Sequence, residues 1–507
     1  MCFWVMAVME DVGQHILVDF SGTEVTPGLE RLIRAGRIGG VILFRKNIAS
    51  AGQVRSLCAE VQRLAHDAGL PPLWISVDQE GGVVNQLLDV PLVPSAMAIG
   101  ATGSPEEAAT SGRIAGSVLR WVGVNTNHAP VLDVNTNPQN PIIGVRSFGE
   151  DPEQVAQLGC AYLRAMQSCG VLPTPKHFPG HGSTSVDSHV ALPVVRKDRA
   201  ELERCELVPF RAAFEAGAEA LMTAHVLYPA LDPDLPATLS PRILDHLLRR
   251  ELGFSGLVFT DALGMRAVRD RWTLPEAAVA ALRAGADVVL ALGPEAEQWE
   301  AIRAVRASLR TGALRLHRLR ESQRRILRAK ERYATPAQPT AVEFGELEER
   351  AQQIADRAAT LVCDQGGRIP LPPGPTAVLH LGHDPWVVLG TTLGRELLRL
   401  RADTVPVRSE ADLAKAEWTN VVVASLTWRS TGHLLTVRRL WERFGDRLVV
   451  VGIGNPYELA HLPEESTYLA VYGPDPASLR AAARVLCGVV RPGGRLPVTL
   501  GVGEAVP

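Results

Sequence analysis

The chain has 507 residues, 46% of them hydrophobic and 21% charged, a normal balance for a soluble globular protein but too long for one ordinary core, so two or three domains are expected. A formal net charge of −3 supplies no field that would draw nucleic acid or an anionic membrane, and neither is expected as a partner. Seven scattered cysteines, odd in number and without a C-x-x-C pair, argue for reduced thiols in a cytosol and against a disulfide framework or a structural zinc site.

The N-terminal stretch MCFWVMAVMED is apolar for nine residues, lacks a basic segment and runs into acids. It reads as an apolar extension or the start of a first strand rather than a signal peptide or anchor. No other stretch approaches membrane-spanning length, so a cytoplasmic protein is expected. Eight short β-rich runs follow: HILVDF (15–20), GVILF (40–44), LWISVD (73–78), GVNTNHAPVLD (123–133), PTPKHF (173–178), LMTAHV (221–226), GLVFTD (256–261) and ADVVLAL (286–292). Helical stretches such as AGQVRSLCAEVQRLAHDAG (51–69) separate most of them. Apolar strands alternating with helices mean a parallel sheet covered by helices, and eight such units predict a (β/α)₈ TIM barrel over residues 1–335.

The proline-containing YATPAQPTAV (333–342) predicts a linker, placed at 336–350. Four further strands, TAVLHL (376–381), NVVVASL (420–426), RLVVVGI (447–453) and YLAVYG (468–473), predict a smaller doubly wound α/β sandwich domain over residues 351–507. The GIGNP after the third of them lacks G-x-G-x-x-G and carries little support for a nucleotide site.

The barrel explains where the polar residues go. Asp78, His128, Asp133, Lys176, His177, His225 and Asp261 all lie at or just after strand ends, which in this architecture converge on the catalytic face. The loop PKHFPGHGSTSVDSHVALP (175–193) crowds three histidines, a lysine and an aspartate among glycines and prolines. Asp261 could be a nucleophile, a metal ligand or a helix N-cap. Asp187 and His189, two apart, could form a dyad that fixes the imidazole tautomer and exchanges a proton, or could lie in a solvated turn. The histidines do not make a recognisable metal pattern, so no metal or other cofactor is expected. Asp78, Arg146, Lys176 and His177 suit a polyhydroxylated small molecule, since charged donors and acceptors replace its lost hydration.

The motifs VDQEGG (77–82), APVLDV (129–134), RSFGEDP (146–152), KHFPGHG (176–182), DSHVALP (187–193), LMTAHV (221–226) and FTDALGM (259–265) resemble glycoside hydrolase family 3, and within it the bacterial β-N-acetylhexosaminidases of the NagZ type. VCDQGGRIPL (362–371) and GGRLPVTL (493–500) resemble the second domain of two-domain members. The resemblance implies a retaining mechanism with Asp261 as nucleophile and an Asp187–His189 dyad as acid/base. It also implies that Asp78, Arg146, Lys176 and His177 bind the sugar, and that His225, counted with them, lines the pocket and supports the floor of the site. Two positions depart from the pattern: Gln86 stands where the family usually has an arginine, and Ser183 replaces a common acid, so the substrate preference is open. The expected function is hydrolysis of terminal β-linked N-acetylglucosamine from muropeptides or related glycans. A β-glucosidase or a phosphorylase of the same family is the alternative, and a sugar-binding protein without turnover the second.

Overall fold

The computed structural model describes residues 11–335, 342–385, 387–388 and 390–500. The expected N-terminal extension (residues 1–10) and residues 336–341 of the expected linker lie outside the described residues. Eight strands alternate with helices: β1 (Ile16–Val18), β2 (Gly40–Leu43), β3 (Trp74–Val77), β4 (Thr126–Asn127), β5 (Leu172–Pro173), β6 (Ala220–Met222), β7 (Leu257–Ala262) and β8 (Val288–Leu290). They pair in parallel in the order β5-β4-β3-β2-β1-β8-β7-β6. The ring closes just beyond β5, where Phe178 N donates to Met222 O (2.9 Å) and Ala224 N to Phe178 O (2.7 Å). The result is the expected barrel, nearly closed, although β4 and β5 are only two residues long.

Both faces of the barrel strands are buried, which is why they read as unbroken apolar runs. Leu17, Ile42, Trp74, Met222, Phe259 and Leu290 share an inner cluster, with Trp74 edge-on to Phe259 at 6.2 Å. Ile16, Val41, Ile75, Val258 and Val289 pack in the outer layer with the helices. Helix Ala51–Asp67 shows how these form: Ser50 caps it through Gln53 N, and Val54, Leu57, Cys58, Val61 and Ala65 recur on its buried side. Helix Leu316–Tyr333 plugs the N-terminal end of the barrel with Ile326, Ala329 and Tyr333. There Lys330 donates to Gln14 Oε1 (2.8 Å) and Gly39 O (2.9 Å). Only the C-terminal end is left to hold a site.

The second domain is a six-stranded sheet of β9 (Thr360–Cys363), β10 (Thr376–Leu381), β11 (Thr404–Val407), β12 (Asn420–Ser425), β13 (Leu448–Gly452) and β14 (Thr467–Ala470). The order is β11-β10-β12-β13-β14-β9, parallel except for β9, which runs antiparallel to β14. The four expected strands are its centre. The two unexpected ones, β9 and β11, are its edges: short, half-exposed and, in β11, carrying Pro406, which an edge tolerates. Helices cover both faces, with Leu393, Leu397, Leu479 and Ala482 on one side and Leu413, Val437, Leu440 and Phe444 on the other. Residues 344–350, placed in the linker by the sequence analysis, belong to helix Phe344–Ala358, whose Ala351, Ile354, Ala355 and Ala358 are buried.

The two domains share one apolar cluster, in which Val83, Met97, Val131, Ile142 and Val145 of the barrel loops join Trp428, Tyr468 and Tyr472. Asn135 Nδ2 donates to Tyr457 Oη (2.7 Å) and Val145 N to Asn455 Oδ1 (2.8 Å) across the same boundary. Among the described residues, no helix is long and apolar enough to cross a membrane.

Candidate active site

A cavity of about 760 Å³ opens at the C-terminal end of the barrel, in the size range of pockets that enclose small ligands. Asp261 stands on its wall at the end of β7. The β7–β8 register shifts here, four residues from Phe259 to Ala262 facing three from Val288 to Leu290. Such a bulge re-aims side chains at a strand end. Asp261 Oδ1 accepts from Ala262 N (2.7 Å). Burial alone would raise its pKa, but His225, His177 and His189 hold it well below the usual carboxylate range. Asp261 is therefore an ionised carboxylate aimed into a cavity, not a helix cap.

Beside it lies a compact charge network. Lys176 Nζ contacts Asp78 Oδ1 (2.7 Å) and Glu80 Oε1 (2.6 Å), while Arg146 grips Glu80 with Nε (2.8 Å) and Nη2 (2.9 Å). Burial works against charge on Glu80, but Arg146 and Lys176 pull its pKa from 4.5 to about 2. Burial opposes charge on Lys176 as well, yet Asp78 and Glu80 raise its pKa. All four side chains are thus locked by their contacts to one another before any ligand arrives, which spares a polar ligand the cost of ordering them. Glu80 lies within VDQEGG, yet the sequence analysis passed over it; only the fold brings two cations to it.

Removing the central carboxylate should expose that dependence. Glu80→Gln is expected to cost roughly 3–5 kcal/mol, since it leaves buried cations unmatched, together with a rise in KM. Urea unfolding and initial rates check both. Because the folded-state pKa of Glu80 lies below its unfolded value, the stabilisation is present above pH 4.5 and fades as the pH falls towards 2. The gap between wild type and variant should therefore narrow in acid.

His177 is fixed from behind by Asp133, which the sequence analysis placed at a strand end without a role. Asp133 Oδ2 accepts from His177 Nδ1 (2.7 Å), and Oδ1 accepts from the backbone of His177 (3.1 Å) and His181 (2.6 Å). Burial resists this charge, but His177 and His181 pull the Asp133 pKa down. One buried carboxylate thus orients a cavity-lining imidazole and anchors the root of the 175–193 loop.

Further along that loop, Asp187 Oδ1 accepts from both the backbone N (2.8 Å) and Nδ1 (2.8 Å) of His189. A carboxylate can only accept, so Nδ1 carries a proton and Nε2 is the nitrogen left to exchange one. His189 lines the cavity and is about one-third exposed, whereas Asp187 is buried behind it. Burial raises the Asp187 pKa, but the hydrogen bonds to His189 and the charge of Arg429 outweigh that and lower it. The loop also docks on the short helix Arg266–Arg269 that follows the Asp261 strand, where Ser188 O accepts from Ala267 N (3.2 Å), and is braced internally by His181 Nε2 against Ser188 Oγ (3.1 Å). The cavity therefore gathers Asp261, His189, Asp78, Arg146, Lys176, His177 and Gln86.

His225 is placed differently from what the resemblance implies. It does not line the cavity but lies buried behind Asp261, because both ring nitrogens are engaged: Nε2 donates to Ala262 O (3.0 Å) and Nδ1 meets Thr238 Oγ1 (2.8 Å). Burial lowers its pKa against the pull of Asp261, and the ring supports the strand end. Gln86 accepts from Arg45 N (3.0 Å), and Arg45 Nε and Nη2 donate to Asn85 O (3.2 and 3.0 Å). A guanidinium from the loop after β2 thus stands on the same wall as Gln86. Pro385 and Trp428, from the second domain, complete the lining. They escaped the sequence analysis because no motif links them to the barrel. Among the described residues, no group of three or more His, Cys, Asp and Glu is placed to hold a metal ion.

Comparison with known proteins agrees with the fold. The model of the glycosyl hydrolase family 3 N-terminal domain matches residues 7–329. The β-hexosaminidase of Stenotrophomonas maltophilia (strain K279a) is 40% identical over 307 residues, 59% of this chain and 89% of that protein. β-Hexosaminidase A of Pseudoalteromonas piscicida is 38% identical over 313 residues, 55% of this chain, which spans about half (52%) of that relative's length. The solved family 3 β-N-acetylglucosaminidase of Paenibacillus sp. str. FPU-7 is 37% identical with a TM-score of 0.92, covering 98% of this chain and 99% of that one. A β-glucoside phosphorylase, BglX, is 26% identical with a TM-score of 0.81, covering 99% and 97%. With a match over more than half its length, the chain belongs to glycosyl hydrolase family 3.

Proposed function

We propose that this glycoside hydrolase is a retaining exo-β-N-acetylglucosaminidase, acting on muropeptides or related N-acetylglucosamine-capped glycans. The observation that carries the reading is one cavity holding an ionised Asp261 and, on a loop over the same mouth, the Asp187–His189 pair. Asp261 attacks the anomeric carbon while His189 Nε2–H gives its proton to the leaving oxygen. The glycosyl ester then forms, and the neutral imidazole takes a proton from water, which attacks the same carbon and releases Asp261. Asp78, Lys176, Arg146 and His177 hold the sugar hydroxyls. The substrate class draws support from the relatives named β-hexosaminidase and β-N-acetylglucosaminidase.

Phosphorolysis is the second reading, favoured by the imidazole acid. A neutral or cationic histidine repels an incoming phosphate less than a carboxylate would, and Arg45, Lys46 and Arg266 also line the cavity. Aryl β-N-acetylglucosaminide and aryl β-glucoside, each with and without phosphate, decide between them. The expected result is a preference for the N-acetyl sugar of at least about a hundred-fold in kcat/KM, unchanged by phosphate. Phosphate-dependent release with formation of a sugar 1-phosphate would establish the second reading instead. Preference for the plain glucoside would reject the N-acetylglucosaminidase.

A further inference from the structure

We propose that Arg429 of the second domain is a positioning residue for the Asp187–His189 dyad, holding Asp187 through the carboxylate oxygen that does not face the imidazole. Its guanidinium lies between two carboxylates: Nη2 is 3.6 Å from Asp187 Oδ2, and Nε is 3.9 Å from Asp384 Oδ2. Asp187 is thereby divided between two tasks. Oδ1 accepts both hydrogen bonds from His189, and Oδ2 faces the cation. With both oxygens engaged, the carboxylate cannot rotate without losing a partner, and the imidazole it holds keeps its orientation.

The position of Arg429 follows from the topology of the second sheet. β10 and β12 are neighbours, yet the chain leaves β10 towards β11 on one side and leaves β12 towards β13 on the other. At such a switch point the loops after the strands part and leave a crevice at their C-terminal ends. Asp384 comes from the loop after β10, and Trp428 and Arg429 from the loop after β12. Trp428, 4% exposed, lines the cavity, with the Arg429 guanidinium carbon 6.0 Å from its ring centroid. The crevice therefore points at the barrel mouth and offers a cation to the dyad loop.

Both carboxylates are shielded, with side chains 8% and 7% exposed for Asp187 and Asp384, and Arg429 itself is 24% exposed. Water screens such an arrangement far less than a surface pair. Asp384 fixes the cation within its own domain, so the contact to Asp187 joins the barrel loop to the second domain. This gives the second domain a part in the chemistry that its own sequence motifs do not reveal. The inference rests on the dyad being the acid/base.

The test uses kcat and KM on an N-acetylglucosamine disaccharide and on a nitrophenyl β-N-acetylglucosaminide. Wild type is compared with Arg429→Gln, Asp187→Asn, the double variant, and His189→Ala as the reference. The expected result is a loss of roughly ten-fold in kcat on the disaccharide for Arg429→Gln, with KM changed less than about two-fold and the nitrophenyl substrate largely spared. In the Asp187→Asn background the Arg429 substitution should add little, because its route of action is already gone. Equal losses on both substrates, or full additivity in the double variant, would overturn the proposal. If thermal melting shows Arg429→Gln misfolded, Arg429→Lys, which keeps the charge without the planar fork, is judged by the same split. A His189→Ala variant without leaving-group dependence would overturn the acid/base reading itself. Dependence in His189→Ala but not in the Arg429 variant would overturn only the role of Arg429.

Discussion

Asp261→Ala is expected to abolish turnover, with a fall of at least about 10⁴-fold in kcat, while the protein remains folded and still binds product. The carboxylate makes one hydrogen bond, to Ala262 N, and the strand end behind it is held independently by His225 through the Ala262 carbonyl. Removing the side chain should therefore leave the cavity wall in place. In the proposed mechanism, what disappears is the group that would bond to the anomeric carbon and divide one difficult displacement into two easier ones. A small external carboxylate such as formate, entering the vacated space, should restore part of the rate on an activated aryl substrate, with the anomeric configuration of the formed product as the readout. Activity within ten-fold of wild type would reject Asp261 as the nucleophile. The neighbouring histidines, which hold Asp261 below the usual carboxylate range against the effect of burial, add a consequence in pH. A nucleophile must be ionised to attack, so the acid limb of kcat/KM should not reflect an ordinary aspartate at about pH 3.9; any limb from Asp261 lies lower.

His189→Ala has the second largest expected effect, and its signature is a change of slope. Natural disaccharides leave as poor alkoxides unless protonated, so they should lose about 10²–10⁴-fold in kcat/KM. A nitrophenolate leaves unaided, and its release in the first step should fall by no more than about ten-fold. Rates across a series of aryl glycosides should thus depend more steeply on leaving-group pKa in the variant than in wild type. Asp187→Asn should move the slope in the same direction by less, because it replaces the charged acceptor at His189 Nδ1 with a neutral amide that holds the proton there less firmly. Equal loss on good and poor leaving groups would count against His189 as the acid. Most retaining glycosidases use two carboxylates about 5–5.5 Å apart. The proposed acid/base, a loop-borne imidazole behind a buried aspartate, departs from that scheme and would make proton donation depend on how the loop is docked.

Much of this site was legible because its chemistry is written in residues that have no local structural reason to be there. Asp78, Lys176, His177 and Asp261 each end an apolar run, and an apolar run with a charged end is what a barrel strand with a polar mouth requires. Asp187 and His189 are two apart, so their pairing is local and the turn between them is encoded where it stands. His225 looked equivalent to these, since it too follows a strand. Its side chain nevertheless turns to Thr238 and Ala262 rather than the cavity, and strand position alone does not distinguish those two directions.

The amino-acid sequence by itself determined the two-domain α/β plan, the eight barrel strands, the central strands of the second sheet and the local dyad. Each depends on patterns of two to four residues or on a single motif. Only the tertiary structure decided which charges neutralise one another and which surfaces meet. Glu80 joins Arg146 66 positions away, and Asp133 orients a histidine 44 positions on. Arg429 reaches Asp187 from another domain. The edge strands β9 and β11 likewise exist because the strands beside them offer open hydrogen bonds, not because their own residues demand extension. Short-range periodicity specifies an element, whereas an ion pair between distant residues is specified only once packing has brought them together in a low-dielectric interior.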